Sequence, residues 1–257
     1  MTHFAKPARS ILITGASSGI GEALAREFAA PGVHLALSGR NAGRLQAIAS
    51  ACRDRGAEVA ADTVDVTDRD AMNQWIADMD RTRLLDLVVA NAGISAGSGG
   101  RGESAEQARE IFAVNLAGVL NTVLPAIPLM QGRKTGQIAI MSSLAGLISL
   151  PGAPSYAASK AAVRSYGEAL RGLLAEDGIR VSVICPGFVE SRITANNPFP
   201  MPFLMNAAKA AGIIRRGLER DKARIAFPWP LVAAIGMLNA LPLSWSGALL
   251  RRTPRKV

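Results

Sequence analysis

A turn with three glycines joins the first apolar run of the chain to its first amphipathic segment, and it limits the fold more than any other feature. The apolar run Ser10–Thr14 predicts a buried strand, and Gly19–Ala30 predicts a helix. Gly15, Gly19 and Gly21 let the backbone turn tightly and come close to a bound group. Because a helix N-terminus favours negative charge, the turn predicts a site for a pyrophosphate. The alternative is a strand-to-helix turn that binds no ligand.

Strand and helix patterns then alternate, which predicts a parallel sheet covered by helices on both faces. The further predicted strands are Val33–Ser38, Glu58–Val64, Leu85–Ala90, Gln137–Met141 and Arg180–Cys185. The further predicted helices are Ala42–Asp54, a helix capped by Asp68 and ending near Asp80, a long helix from about Ser104, and Pro154–Glu176. There is no internal repeat. We therefore predict one α/β domain over residues 1–257, with a doubly wound parallel sheet whose core is residues 10–191.

The distribution of charge indicates which partners the chain binds, and the N-terminal sequence indicates where the protein is located. The net charge is +9, but the basic residues are spread along the chain and only Arg251–Lys256 form a run. This distribution predicts no nucleic-acid partner. No continuous apolar run precedes Ile11, so no signal peptide is indicated and we expect a cytoplasmic protein.

Cysteine and histidine are too sparse to suggest a metal site. Cys52 and Cys185 are the two cysteines, and their pattern predicts buried thiols in a reducing compartment. His3 and His34 are the two histidines, and neither has metal-ligand spacing with cysteines or carboxylates. We therefore predict no metal and no histidine-based triad.

Tyr156 and Lys160 are four residues apart in a predicted helix. Positions i and i+4 share a helix face, so the ammonium group can approach the phenol and favour its ionised form. An isolated pair of this kind is more simply explained by an amphipathic helix with a buried ring and a solvated amine. The other motifs of the chain decide between these interpretations.

Four further motifs follow the glycine turn in order: Asn91-Ala92-Gly93, Asn115, Ser142-Ser143 and Pro186-Gly187. With the turn Thr14–Gly21 and the Tyr156/Lys160 pair, they make the chain resemble the short-chain dehydrogenase/reductase family from about Ser10 to Ser191. The spacing G-x-x-x-G-x-G is similar to that family's glycine turn. The resemblance implies a Rossmann-type fold, a nicotinamide cofactor and hydride transfer.

The resemblance also implies the catalytic residues. It makes Tyr156 the proton donor, Ser143 the second hydroxyl on the substrate carbonyl, and Lys160 a ligand of the nicotinamide ribose. Ser143 is chosen over Ser142 because it precedes Tyr156 by thirteen residues, the separation usual in the family. Asn115 is expected to help hold a water that returns the proton. An asparagine that only bonds nearby backbone is the alternative for Asn115.

The cofactor-binding residues are implied in the same way. Besides Tyr156 and Lys160 they are Gly15, Ser17, Ser18, Gly19, Ile20, Gly21, Arg40, Asp65, Val66, Asn91, Ala92, Gly93, Pro186, Gly187, Val189 and Ser191. Asp65 and Val66 are expected beside the adenine, and Val189 beside the carboxamide. The alternative for Asp65 is a helix-entry or strand-end carboxylate that contacts no cofactor. Ser191 stands where relatives often carry threonine, and it keeps the hydroxyl.

The end of the second predicted strand bears on the choice between NADH and NADPH. An acidic residue there binds the ribose hydroxyls of NADH and repels a 2′-phosphate. This chain instead has Ser38-Gly39-Arg40, and a guanidinium is a bidentate, charge-assisted partner for phosphate. We therefore predict NADP(H), with Ser38 or Arg44 as further candidates for that contact. The alternative is that Arg40 only solvates the start of the next helix.

The reaction predicted from these groups is hydride transfer to a ketone or aldehyde, or the reverse oxidation of an alcohol. Tyr156 would donate its proton to the forming alkoxide. A free phenol titrates near pH ~10, so the charges of Lys160 and of the oxidised nicotinamide are expected to lower its pKa.

Two apolar segments follow the core. The segment Asn197–Met205, within a region of about 192–221, predicts a lid over an apolar substrate; packing against the C-terminus is the alternative. The extension at about 227–257 carries Trp229, Trp245 and flanking basic residues, but Pro242 leaves only Leu231–Leu241 as an uninterrupted helix, too short to span a membrane. Peripheral membrane contact, an oligomer contact and packing on the core all remain open.

The sequence thus predicts an NADPH-dependent carbonyl reductase or alcohol dehydrogenase, with an apolar small molecule as substrate. Two alternatives remain: a membrane-surface sterol or lipid alcohol dehydrogenase, and a non-catalytic NADP(H)-binding interaction protein. By analogy with similar folds, we expect a homodimer or homotetramer formed through the long helix after Ser104 and the Tyr156 helix.

Overall fold

The computed structural model describes residues 8–95, 103–195 and 200–250. Its strands are β1 Ser10–Ile13, β2 His34–Ser38, β3 Glu58–Asp62, β4 Leu87–Ala90, β5 Gly136–Met141, β6 Ile179–Pro186 and β7 Arg224–Phe227. They form one parallel sheet in the order β3-β2-β1-β4-β5-β6-β7. The predicted doubly wound α/β domain is confirmed.

The helices of the described residues connect these strands. They are α1 Gly19–Phe28, α2 Ala42–Arg53, α3 Arg69–Thr82, α4 Ala105–Phe112, α5 Gly118–Arg133, α6 Pro154–Leu173, α7 Arg192–Ala195, α8 Ala207–Glu219, α9 Trp229–Asn239 and α10 Leu243–Leu250. Asp68 caps α3 as predicted, because its carboxylate accepts from the backbone nitrogens of Asp70 and Ala71.

The sheet separates two apolar cores, and alternate strand residues point to opposite faces. In β1, Ile11 and Ile13 pack with α1, α2 and α8, whereas Leu12 packs with α3, α5 and α6. Both faces of the central strands are therefore buried. This explains why the strands appear in the sequence as continuous apolar runs.

A π-helical turn, Ala113–Ala117, joins α4 to α5. The sequence predicts one long helix from about Ser104, and the structure confirms the helix but adds this turn. The helical stretch Ala105–Arg133 is, by length and composition alone, apolar enough to cross a membrane. Within the domain, however, Val119, Val123 and Met130 belong to the core between α5 and the sheet, so its apolar character is that of a core helix.

The region after Ser191 is more regular than its sequence indicates. It contains α8, β7, α9 and α10, and β7 completes the sheet beside β6. The short strand Arg224–Phe227 lies between basic and proline residues that obscure its pattern. The Gly/Ser-rich segment Ile94–Gly102, for which the sequence indicates a loop, and the predicted lid Asn197–Met205 lie partly outside the described residues.

The order of the strands places the glycine turn at the centre of one sheet edge. β1 lies between β2 and β4, so the connections leaving the carboxyl ends of β1 and β4 diverge to opposite faces. A crevice opens at such a switch point, and ligands of doubly wound sheets bind there.

Candidate active site

The glycine turn has the geometry that its sequence predicts. Gly15 and Gly19 have φ angles of +67° and +59°, a backbone conformation that favours glycine. At Gly21, a Cβ atom would lie 2.3 Å from the backbone oxygen of Gly15, closer than any side chain permits. The turn is therefore a bare backbone surface at the N-terminus of α1. Such a surface fits a pyrophosphate, because no side chain blocks the helix N-terminus.

Thr14 and Asn91 tie the glycine turn to the end of β4. The Thr14 hydroxyl oxygen accepts from the backbone nitrogens of Asn91 and Ala92, at 3.1 and 3.2 Å. In return, Nδ2 of Asn91 donates to the backbone oxygen of Thr14 at 2.8 Å. Strand β1 ends at Ile13, one residue before the predicted end, and the Thr14 nitrogen still donates to the Val89 oxygen of β4 at 3.1 Å. Together these hydrogen bonds hold the turn and the Asn91-Ala92-Gly93 segment in one position.

Tyr156 and Lys160 occupy one face of α6, beside the carboxyl end of β5. The Lys160 Nζ atom lies 5.9 Å from the centroid of the Tyr156 ring and donates to the backbone oxygen of Met141 at 2.9 Å. Ser143, which follows β5, lies close enough to the Tyr156 hydroxyl to affect its titration. The Ser143 hydroxyl also accepts from the Ala145 nitrogen at 3.1 Å. The structure thus brings the three predicted residues together.

Burial changes the titration of both residues. It raises the pKa of the Tyr156 phenol, although the neighbouring Ser143 side chain lowers that pKa to a smaller extent. Burial also lowers the pKa of Lys160 from 10.5 to about 8. The spacing of Tyr156 and Lys160 in the sequence predicts that the charge of Lys160 lowers the pKa of Tyr156. In this structure desolvation outweighs any such effect, so the phenol stays protonated at neutral pH, as a proton donor requires.

Asn115 lies in the π-helical turn and is fully buried. Its Oδ1 accepts from the backbone nitrogen of Ile94 at 2.8 Å, and its Nδ2 donates to the Ile94 oxygen at 2.9 Å and to the Ser159 hydroxyl at 3.1 Å. Ser159 in turn donates to the backbone oxygen of Tyr156 at 2.8 Å. Asn115 therefore joins the segment after β4 to the helix that carries Tyr156.

Gly93 allows Lys160 and Asn115 to come together. A Cβ atom on Gly93 would lie 3.2 Å from Oδ1 of Asn115 and 3.3 Å from Nζ of Lys160. A larger residue would push one of these side chains away. This gives Gly93 a role in positioning the polar groups.

A cavity of about 810 Å³ runs along this sheet edge. Every predicted cofactor-binding residue lines it, as do Ser143, Tyr156 and Lys160. Asn115 does not line the cavity, because it lies behind Gly93 and Ile94. The prediction that these residues share one site agrees with their positions, and the structure places Asn115 in a supporting layer.

Positive charge marks one end of the cavity. Arg40 and Arg44 both line it at the start of α2. Ser38, the other candidate for the phosphate contact, is fully buried, and its hydroxyl has no hydrogen-bond partner. The backbone hydrogen bond from Thr67 lowers the pKa of Asp65 most, and the charge of Arg40 lowers it further. Arg40 therefore lies within electrostatic reach of a carboxylate that stays ionised.

The sequence indicated only part of the apolar lining of the cavity: Pro200 and Pro202 lie in the predicted lid Asn197–Met205, whereas the segment after β5 and helix α9 were not indicated. The apolar lining residues are Leu144, Ala145, Ile148, Leu150, Phe188, Pro200, Pro202, Leu231 and Ile235. They come from the segment after β5, the segment after β6 and helix α9. Irregular segments carry no periodic pattern, so only their apolar character signalled a role.

Glu103 also has a role that the sequence did not indicate. One of its carboxylate oxygens accepts from the backbone nitrogen of Ser155 at 2.8 Å. Ala153, the residue before α6, supplies no side-chain cap. Glu103 thus places a carboxylate at the N-terminus of the helix that carries Tyr156. A contact across fifty-two residues leaves no local sequence signal.

Comparison with known proteins identifies the family. Residues 9–199 match the profile of the family described as short chain dehydrogenase. The chain belongs to the short-chain dehydrogenase family. This short-chain dehydrogenase is 40% identical over 245 residues to an uncharacterized oxidoreductase of Myxococcus xanthus, covering 95% of this chain and 97% of that protein.

Solved structures agree with the assignment. A short-chain dehydrogenase from Sphingobium yanoikuyae in complex with NADPH is 25% identical, with a TM-score of 0.79 and 98% of each chain covered. A short chain dehydrogenase/reductase from Burkholderia phymatum in complex with NAD is 26% identical, with a TM-score of 0.82, covering 100% of this chain and 99% of that one. Our short-chain dehydrogenase is therefore an oxidoreductase of a family that binds nicotinamide cofactors.

Proposed function

We propose that this short-chain dehydrogenase uses NADPH to reduce the carbonyl group of an apolar ketone or aldehyde. The observation that carries the proposal is that Tyr156 and Ser143 line one cavity together with the glycine turn and with apolar side chains such as Leu144 and Leu231. A proton donor in such a cavity can meet a carbonyl group whose apolar body contacts the apolar lining.

The protein groups have separate tasks in this reaction. Bound nicotinamide supplies the hydride. Tyr156 donates a proton to the substrate oxygen, and Ser143 holds that oxygen by a second hydrogen bond. Lys160 lines the cavity and would hold the nicotinamide ribose, and its positive charge favours the phenolate that remains after proton donation.

After Tyr156 has donated its proton, the polar residues behind the cavity allow a new proton to reach it. Asn115 and Lys160 are separated by the small volume that Gly93 leaves free. In our proposal, a water held between Lys160 and the Ile94 backbone passes a proton back to Tyr156. Asn115 acts as a positioning residue, because its three hydrogen bonds are to Ile94 and Ser159 rather than to the cavity.

Arg40 and Arg44 support the choice of NADPH. A 2′-phosphate carries charge that two guanidinium groups can bind by charge-assisted hydrogen bonds. Gly39 stands where an NADH-preferring enzyme would carry an acidic side chain. A Cβ atom there would lie 2.9 Å from the Ser17 hydroxyl, so Ser17 would have to shift to admit one. The relative from Sphingobium yanoikuyae was solved with NADPH and the one from Burkholderia phymatum with NAD, so the family alone does not decide the preference.

The assembly is proposed as a homodimer or homotetramer formed through α5 and α6. Leu124 on α5 and Leu173 on α6 are large apolar side chains that remain exposed in the single chain. Pairing of these helices would cover them.

The test is a turnover assay with purified protein, NADPH or NADH, and a panel of small and large apolar carbonyls. We expect oxidation of NADPH in preference to NADH, with the larger apolar carbonyls turned over more efficiently. If NADPH binds but no carbonyl is reduced and no alcohol is oxidised with NADP⁺, the non-catalytic binding protein replaces this proposal. Equal use of NADH would overturn the cofactor assignment.

A further inference from the structure

Helix α9 is apolar on both sides, although only one side packs on the domain. Leu231 and Ile235 line the cavity, and with Val232 they pack on the small core of Leu144, Val183 and Cys185. None of the residues of α9 is fully buried. A helix that is apolar all round is normally enclosed, so the outer side of α9 lacks the cover that its composition requires.

The outer side of α9 and of α10 presents large apolar side chains at helical spacing. Trp229 and Met237 are separated by two turns of α9, and Trp245 and Leu249 by one turn of α10. Their exposed fractions are 78%, 69%, 65% and 52% in that order. In α10, the neighbouring residues Ser246 and Leu250 are buried and lie about 100° around the helix from Trp245 and Leu249. We call the four exposed residues the outer apolar face.

The sequence segment that carries this face has charge of one sign. Neither α9 nor α10 contains a charged residue, and residues 222–257 contain no Asp or Glu but six Lys or Arg. This segment thus supplies six of the chain's nine net positive charges. Arg224 forms an ion pair with Glu168. Four of the six, Arg251, Arg252, Arg255 and Lys256, follow α10 directly in the sequence.

We propose that the outer apolar face docks the enzyme on an anionic lipid surface. Tryptophans favour the interface between lipid headgroups and acyl chains, and neighbouring cations bind anionic headgroups. A second copy of the chain fits less well as the occupant, because it would bring two segments of equal positive charge together. An uncharged apolar partner would leave the basic run without a role.

Docking would place the substrate end of the cavity beside the lipid. The inner side of α9 forms one wall of the cavity, and Pro200 and Pro202 line it from the segment before α8. The same segment exposes Phe203 and Leu204. Apolar carbonyl compounds dissolved in the bilayer would then reach Tyr156 with a short path through water. This consequence rests on the proposed function, whereas docking itself does not.

The experiment measures sedimentation of the full-length protein with vesicles of phosphatidylglycerol mixed with phosphatidylcholine, and with vesicles of phosphatidylcholine alone. We expect binding to the mixed vesicles only. We expect that binding to be lost at about 1 M salt, where the screening length is about 3 Å. These two results need no variant. Absence of binding to the mixed vesicles at low salt would overturn the proposal.

Substitutions test whether the outer apolar face is the surface that binds the vesicles. Trp229→Ser and Trp245→Ser should each lower the partition coefficient about tenfold, and Arg251→Gln with Arg252→Gln should lower it by a similar factor. The matched control is Leu84→Ser, because Leu84 is 62% exposed but precedes β4 at the opposite sheet edge. An equal loss in Leu84→Ser would overturn the assignment of the surface.

Sedimentation equilibrium without lipid tests whether a second copy of the chain binds the outer apolar face instead. Self-association that Trp229→Ser abolishes would assign the face to a second copy and overturn lipid docking. Turnover of a water-soluble carbonyl is measured in parallel. Because vesicle binding requires no turnover, failure of docking and failure of the reductase proposal are separate results.

Discussion

Lys160 donates a hydrogen bond of 2.9 Å from its Nζ atom to the backbone oxygen of Met141, the last residue of β5. This bond turns the ammonium group toward the sheet edge and leaves it 5.9 Å from the Tyr156 ring centroid. Lys160 is almost completely buried, and no carboxylate contributes to its titration. A buried ammonium group without a counter-ion can stabilise a phenolate by its charge, and it can donate a hydrogen bond to a ribose hydroxyl.

The buried ammonium makes the stability of the cofactor-free protein depend on pH. The pKa of Lys160 is about 8 in the folded protein and 10.5 as the reference value. Between these values the unfolded chain holds the proton more often than the folded chain, so the free energy of unfolding rises with pH. The full rise from this residue is about 3 kcal/mol. Below pH ~8 the buried charge lowers stability by that amount.

Lys160→Met should remove this rise. The measurement is urea unfolding from neutral to alkaline pH, with Lys209→Met as the control because Lys209 is an exposed lysine of α8. The control should keep the wild-type slope. An unchanged slope in Lys160→Met would contradict the assigned burial effect.

Asn115→Ala should destabilise the protein and reduce turnover together. The substitution leaves the backbone nitrogen and oxygen of Ile94 without their partners, at about 1–3 kcal/mol for each buried group. Asn121→Ala is the matched control, because Asn121 makes one hydrogen bond, to the Val66 oxygen at 2.9 Å, from the same helical stretch. Chemical denaturation should show a loss at least twice that of the control. Equal losses would show that Asn115 holds the Ile94 segment no more strongly than Asn121 holds Val66.

The sequence was sufficient for the parts of the fold and site that depend on short spacing. Gly15 and Gly19 lie in one turn, and Tyr156 and Lys160 lie in one helix, so their short spacings are visible in the sequence, although Lys160 also bonds to the distant Met141. The strands β1 to β6 were predicted to within about two residues at each end. The continuous apolar character of the central strands follows from the two cores on either side of the sheet, whereas β3 at the sheet edge is only partly buried.

The remainder depends on contacts between distant residues. The π-helical turn around Asn115 and the hydrogen bond from Ser155 to Glu103 have no local pattern. Strand β7 has four residues, too few to show alternation. The pKa of Tyr156 is raised by burial, which spacing to Lys160 does not reveal. The folded chain was needed to establish each of these features.

Arg40→Ala should weaken the preference for NADPH. Loss of a charge-assisted hydrogen bond to the 2′-phosphate should raise KM for NADPH about 10- to 100-fold and change KM for NADH much less. Steady-state kinetics with both cofactors measures this. Arg69→Ala is the control, because Arg69 is exposed at the first residue of α3 and does not line the cavity. A parallel change in both cofactors would mean that Arg40 has no specific phosphate contact.

The most direct test of the account compares carbonyl reduction by Tyr156→Phe and Tyr166→Phe. The chain has two tyrosines, both on α6, and Tyr166 packs in the core instead of lining the cavity. NADPH binding, measured by cofactor fluorescence, should be similar in both variants. We predict that Tyr156→Phe lowers kcat/KM by about 10²- to 10⁴-fold, because the proton donor is lost, while Tyr166→Phe retains wild-type turnover. Turnover by Tyr156→Phe at the level of Tyr166→Phe would contradict the central claim that Tyr156 supplies the proton.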